Sequence, residues 1–203
     1  MSLIRRWHLV LLALIVVLLW MGRSHSPVPE SSELPQVSLA PVSAEPLQQN
    51  LTPPAELEFG QYSLRLLAEF ALEARVLARE RYRMGREADL SPWDFALGWG
   101  RMAEPEIARQ FTIRQSGRWY YWRTEQLPIP QREVEISSAN MHLIPANDQV
   151  REALDHVNSG STVSLRGFLV EARGEDGWRW RSSMSREDTG DGACELILVT
   201  DVL

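Results

Sequence analysis

The chain has 203 residues, a net charge of −6, 44% hydrophobic and 24% charged side chains. That balance excludes a disordered, collagen-like or disulfide-dense protein, and the acidic charge argues against a general nucleic-acid binder. All 21 basic residues are Arg, which excludes Schiff-base lysine and P-loop chemistry, and the single Cys excludes an internal disulfide and a multi-cysteine zinc site.

The first element is an apolar run, Trp7 to Gly22, preceded by Arg5 and Arg6 and closed by Arg23. A helix of that length spans about 24 Å, enough to cross a bilayer with Leu3 and Ile4 extending it and the flanking arginines snorkelling. Trp7 and Trp20 stand where interfacial aromatics belong, and the charge bias places the N-terminus in the cytoplasm. No A-x-A-like cleavage site follows at Gly22–Ser26, so residues 1–23 read as an uncleaved signal-anchor with the bilayer as partner of residues 7–22. The expected location is the inner membrane, single-pass, with the remainder periplasmic.

Residues 24–55 read as a disordered tether. The stretch Ser24 to Pro54 holds 7 of the 12 prolines, with no aromatic residue and no glycine. Such a segment buries too little surface to offset chain entropy.

Residues 56–203 form the expected globular domain. Gln61 to Gly85 reads as a helix on the row Leu64, Leu67, Ala71, Ala74 and Ala78. Ser91-Pro92-Trp93-Asp94 reads as the start of a second helix, ending near Gly98, and Pro105 opens a helical turn. Phe111–Gln115 and Arg118–Thr124 flank Ser116-Gly117 as a hairpin, and Arg132–Ile136 reads as a third strand. A capped helix follows from Asn147 or Asp148 to Val157. Strands are expected over 162–172, 178–183 and 193–202, with a polar loop over 184–192. The sum is α+β: helices first, then a mostly antiparallel sheet, either open or curled into a barrel.

Three groups carry candidate chemistry. Trp119, Trp122, Trp178 and Trp180, interleaved with arginines, form either core or an aromatic binding surface. In Asn140–Ala146, an extended chain turns Asn140, His142 and Ile144 to one side and Met141 and Leu143 to the other. The loop from Ser183 to Glu195 supplies Arg186 and Asp188; its acidic spacing misses the EF-hand pattern, so no metal is expected. Cys194 with His142 as base and Arg186 as oxyanion partner would suit nucleophilic catalysis. A tethered domain with His before Cys is similar to the sortase transpeptidases, but no TLxTC-like strand precedes Cys194 and no Arg follows it.

Leu90–Gly100, Arg118-Trp119-Tyr120-Tyr121-Trp122, Asn140–Ala146 and Trp178–Glu195 together resemble an uncharacterised group of single-pass inner-membrane proteins of Gram-negative bacteria. The resemblance covers the globular part and implies no activity, cofactor or catalytic residue. The expected role is a membrane-tethered binding module of the cell envelope, whose partner is an envelope protein or a polar ligand. Its contact residues are Trp119, Trp122, Asn140, His142, Trp178, Trp180, Arg186 and Asp188. An envelope hydrolase or transpeptidase built on Cys194 and His142 is the alternative. A small-barrel nucleic-acid binder is a third reading, opposed by 6 Arg against 11 acidic residues over 137–203.

Overall fold

A computed structural model describes residues 34–190 and 192–203. The expected signal-anchor and the tether up to residue 33 lie outside the described residues. Among the described residues, no helix is long and apolar enough to cross a membrane.

The domain is α+β and its large sheet is mostly antiparallel. Two long strands open it: β1 (Leu47–Phe59) and β2 (Tyr62–Arg81). A short helix α1 (Arg86–Leu90) leads to β3 (Trp93–Gly98), then a 3-10 turn (Gly100–Ala103) and α2 (Pro105–Ala108). The hairpin β4 (Thr112–Ser116) and β5 (Trp119–Arg123) follows, then α3 (Gln131–Ile136) and β6 (Ser138–Pro145). The chain closes with α4 (Asp148–His156), β7 (Thr162–Gly174), β8 (Arg179–Arg181) and β9 (Glu195–Val202).

Four expectations are corrected. Residues 62–81 are a strand rather than a helix, because the apolar side chains of its central stretch also alternate: Ala68, Phe70, Leu72, Ala74 and Val76 are all buried. The helix expected from Ser91 is β3, whose Trp93, Phe95 and Leu97 point inward with the period of two. The strand expected at 132–136 is α3. The tether ends earlier than residue 55, since β1 begins at Leu47 and pairs with β2. The carbonyl of Val42 already accepts from Glu73 N–H at 3.0 Å, and that of Ser43 from Gly100 N–H at 2.9 Å. Helices therefore lie between strands rather than ahead of them. The hairpin, the 148–156 helix with its Asn147 cap (Val150 N to Oδ1, 2.8 Å) and the last three strands are as expected.

Ladder pairings run β2–β3–β6–β9–β7 and return from β7 to β2, with β1 and β8 added outside that ring. Every ring pairing is antiparallel except β6 with β9. β2 serves both sides because it is long: residues 62–75 pair with β7 and residues 75–81 with β3. A register shift between Leu66 and Ala68 moves its apolar face. Before the shift Leu64 and Leu66 join an outer cluster with Phe168, Val170 and Leu198; after it Phe70 and Leu72 join the inner cluster with Phe95, Met141 and Ile197. Each fully buried large side chain contributes about 1.5–3 kcal/mol. The end of the ring near Val150 and Leu154 is covered by α4. At Gly167 no side chain fits, because a Cβ would collide with the backbone carbonyl of Leu198 on β9.

Candidate functional site

β3 and β6 direct Trp93, Phe95, Met141 and Leu143 inward, so their alternate residues face outward. That outward face would be solvated, yet Asp94, Asn140 and His142 on it are buried. The cover is the β4–β5 hairpin, which folds back over the strands it connects and packs its own apolar side on Met102, Phe111, Ile129 and Val134.

A buried carboxylate organises the covered face. Asp94 is fully buried and sits opposite His142 in the ladder. Its Oδ1 accepts from Arg118 Nη1 at 2.6 Å and from His142 Nδ1 at 2.9 Å, and its Oδ2 accepts from Asn140 Nδ2 at 3.2 Å. A carboxylate only accepts, which fixes the His142 proton on Nδ1. Gln115 Nε2 donates to Asn140 Oδ1 at 2.7 Å and to the Asp94 carbonyl at 3.1 Å.

Arg118 reaches Asp94 from the tip of the hairpin. Gly117 and Arg118 form the two-residue loop with φ of 59° and 73°, the pattern of a type I′ turn. Arg118 is the one described non-glycine residue with positive φ, a conformation that costs an L-residue about 1–2 kcal/mol. Its contacts hold it there. Its guanidinium lies 3.9 Å from the Tyr82 ring centre and 5.4 Å from that of Trp180. Its N–H donates to the Tyr82 hydroxyl at 3.1 Å, and its carbonyl accepts from Asn140 Nδ2 at 3.0 Å.

Beside this network lies a pocket of about 270 Å³. The hairpin contributes Trp119, Tyr120 and Trp122; α3 and the start of β6 contribute Glu135, Ser138 and Asn140. The 185–195 segment supplies Arg186, Asp188, Cys194 and Glu195. Trp119 is 37% exposed and forms part of the rim. Tyr120 bonds its hydroxyl to Ser138 Oγ at 2.9 Å, and burial pushes that hydroxyl above its ordinary pKa. Asp188 Oδ2 accepts from the Ser183 hydroxyl at 2.6 Å.

Glu195 lies on the side of β9 that carries Ile197 and Val199 inward, and it is 1% exposed. Arg186 Nε stands 2.8 Å from its Oε1, while its Oε2 has no hydrogen-bond partner among the described residues. Burial outweighs the Arg186 guanidinium and pushes the carboxyl up to about 7. Arg186 is itself held by Gln48 Oε1 and the Ser183 carbonyl, each at 3.4 Å.

Six of the expected contact and catalytic residues thus meet in one pocket: Trp119, Trp122, Asn140, Arg186, Asp188 and Cys194. His142, Trp178 and Trp180 do not line it. Trp180 stacks on His142 at 4.8 Å, and Trp178 packs on Tyr62 at 5.7 Å, so these two rings cover the outer apolar cluster. Cys194 and His142 make no hydrogen bond with each other. Burial, then Glu195 and Asp94, push the Cys194 thiol up to about 12, the reverse of what a nucleophile needs. Asp94, Tyr120 and Glu195 are the residues sequence reasoning missed. The signal for Asp94 was its position between Trp93 and Phe95 in a strand that alternates; for Glu195 it was an acid at the head of an apolar strand. Comparisons of the chain with protein families, with curated proteins and with solved structures gave no match.

Proposed function

We propose that the chain is a membrane-tethered, extracytoplasmic binding module of the bacterial envelope, and that its folded part holds a small polar ligand in the pocket between the β4–β5 hairpin and the 185–195 segment. The observation that carries this reading is the pocket itself: a concave site of about 270 Å³ that combines aromatic walls with convergent polar groups. The tether and the location rest on the basic-flanked apolar run at residues 7–22.

The ring order supports the same place for a site. Counted along the chain, the ring strands are β2, β3, β6, β7 and β9, and round the ring they stand 1-2-3-5-4 with a helix between the third and fourth. That order is similar to the arrangement of the OB-fold, whose ligands meet the face of strands 2–3 and the loop between strands 4 and 5. Here that face is covered by the chain's own hairpin, and the pocket opens between the hairpin and that loop. Fold analogy alone carries no function, and it is the pocket that does so here.

The Cys194/His142 enzyme lacks support from the geometry, since the thiol is held protonated and His142 is bonded to Asp94. Nucleic acid is opposed by the pocket charge, with Glu135, Asp188 and Glu195 against Arg186. The test is to titrate the full chain with sugars, amines, amino acids and dicarboxylates while reading tryptophan fluorescence and side-chain NMR shifts. A ligand that perturbs Trp119 and Trp122, and that Trp119→Ala weakens without altering the melting curve, is the expected result. Shifts confined to residues outside the pocket would refute the assignment.

A further inference from the structure

The charges of the pocket do not balance, and their imbalance names a ligand class. Among the described residues Arg186 is the only cation in the lining, and it already stands on Glu195 Oε1. Against it are Glu135, Asp188 and Glu195. Asp188 has the Ser183 hydroxyl, and Glu135 has Gln131 Nε2 at 2.9 Å and Arg132 at 3.6 Å. Among the described carboxylates of the lining, Glu195 alone is both buried and incomplete: its Oε2 has no hydrogen-bond partner, and the residue lines a cavity that three aromatic residues also line. A buried acceptor with no donor is costly and rare, and a carboxylate is the costliest case. A hydroxyl would fill the missing hydrogen bond but leave the charge excess. An anion would add to it. A cation with N–H donors answers both, and aromatic faces attract cations and cover an apolar stem.

We infer that the pocket takes a primary ammonium group on a short apolar stem, with the ammonium on the Glu195 side of the pocket, paired with its carboxylate, and the stem against Trp119 and Trp122. The inference rests on the reading of this pocket as a ligand site. The same group occurs in free aliphatic amines and in lysine side chains. This chain contains no lysine, so a lysine ligand would come from another protein.

The test is calorimetry and tryptophan fluorescence on the full chain in detergent, with cadaverine, 1,5-pentanediol and glutarate as matched five-carbon probes. Cadaverine is expected to bind saturably and at least tenfold more tightly than pentanediol, with glutarate weakest. Glu195→Gln should weaken cadaverine about 10- to 100-fold, the value of one charge-assisted hydrogen bond, and leave pentanediol within about threefold. Glu135→Gln, at a half-buried lining residue, gives a second reading that does not require substitution of the fully buried Glu195, with a smaller loss expected. A capped Gly-Lys-Gly peptide separates the sources: binding as tight as cadaverine indicates a lysine side chain, and binding more than tenfold weaker indicates a free amine. Pentanediol or glutarate binding as well as cadaverine would overturn the ammonium assignment while leaving the pocket a ligand site. Cadaverine affinity unchanged in both Glu variants would overturn it as well. Failure of all three probes, with sugars shifting Trp119, would also overturn it and keep the broader reading, whereas failure of every class would remove both.

Discussion

Removing the Asp94 carboxylate should cost more than any other single change on the covered face. Asp94→Ala deletes the acceptor of Arg118, His142 and Asn140 together, and its full burial means that water cannot replace it without opening the hairpin. Arg118, with a side chain only 13% exposed, would keep a largely buried charge whose only remaining carboxylate partner among the described residues is Glu87 at 3.6 Å. Breaking one side of a buried pair typically costs about 3–5 kcal/mol. For a domain of this size each kcal/mol lowers Tm by about 2–4 °C, so a fall on the order of 10 °C is expected. Arg118→Ala should cost somewhat less, since the Asp94 carboxylate keeps His142 and Asn140 as donors; the positive φ stays unrelieved, because only Gly would relieve it. The double variant removes both charges, so it should be milder than the sum of the singles, with a coupling of at least about 2 kcal/mol. The assay is equilibrium urea unfolding followed by tryptophan fluorescence, on the wild type, both singles and the double. A loss under about 1 kcal/mol in Asp94→Ala, or strict additivity across the cycle, would refute the claim that this carboxylate fastens the hairpin to the sheet.

Three further outcomes follow from the geometry. Gly167→Ala drives a Cβ into the Leu198 carbonyl and should cost about 3 kcal/mol, visible as a lower melting temperature with β9 amides losing hydrogen-exchange protection first. Cys194 should alkylate slowly at pH 8, and the rate should still be rising above pH 10; a plateau near pH 8 would show a thiolate that the burial argument excludes. Glu195 carries a carboxyl raised from an ordinary 4.5 to about 7, so between those values the folded state holds more protons than the unfolded one. Its contribution therefore falls as pH rises through that window, by roughly 3 kcal/mol, and Glu195→Gln should flatten that part of the stability curve. The groups facing it are Arg186, Asp188, Cys194 and Tyr120, and only the Glu195 variant is expected to remove the slope. Urea unfolding at pH 5, 6, 7 and 8 measures it.

Much of the site was legible where periodicity was unambiguous. Asn140, His142 and Ile144 face one way and Met141 and Leu143 the other, because a pleated strand leaves no other choice. The hairpin was legible from Ser116-Gly117 between two runs of strand formers, although the turn proper is Gly117-Arg118. β2 was not, because its leucines, alanines, arginines and glutamates fit both a helical row and an alternating face. Helix propensity differs by only tenths of a kcal/mol among these residues, which contact with three neighbouring strands overrides. That one choice hid Asp94. Read as the first turn of a helix, its carboxylate is a cap; read in β3, it lies opposite His142.

Composition and local order thus settle the all-Arg basic set, the exclusion of disulfide and lysine chemistry, the basic-flanked apolar run and the facing of β6, since each depends on residues near one another in the chain. Which charges are buried depends on distant partners. Asp94 meets Arg118 across 24 positions and Arg186 meets Gln48 across 138, and no local pattern records either. The net charge of −6 is spread along the sequence, but folding gathers, among the described residues, three carboxylates and one arginine around a single pocket. Desolvation then acts on those few groups, and it is this that makes Glu195 and Cys194 behave unlike the same residues in an extended chain.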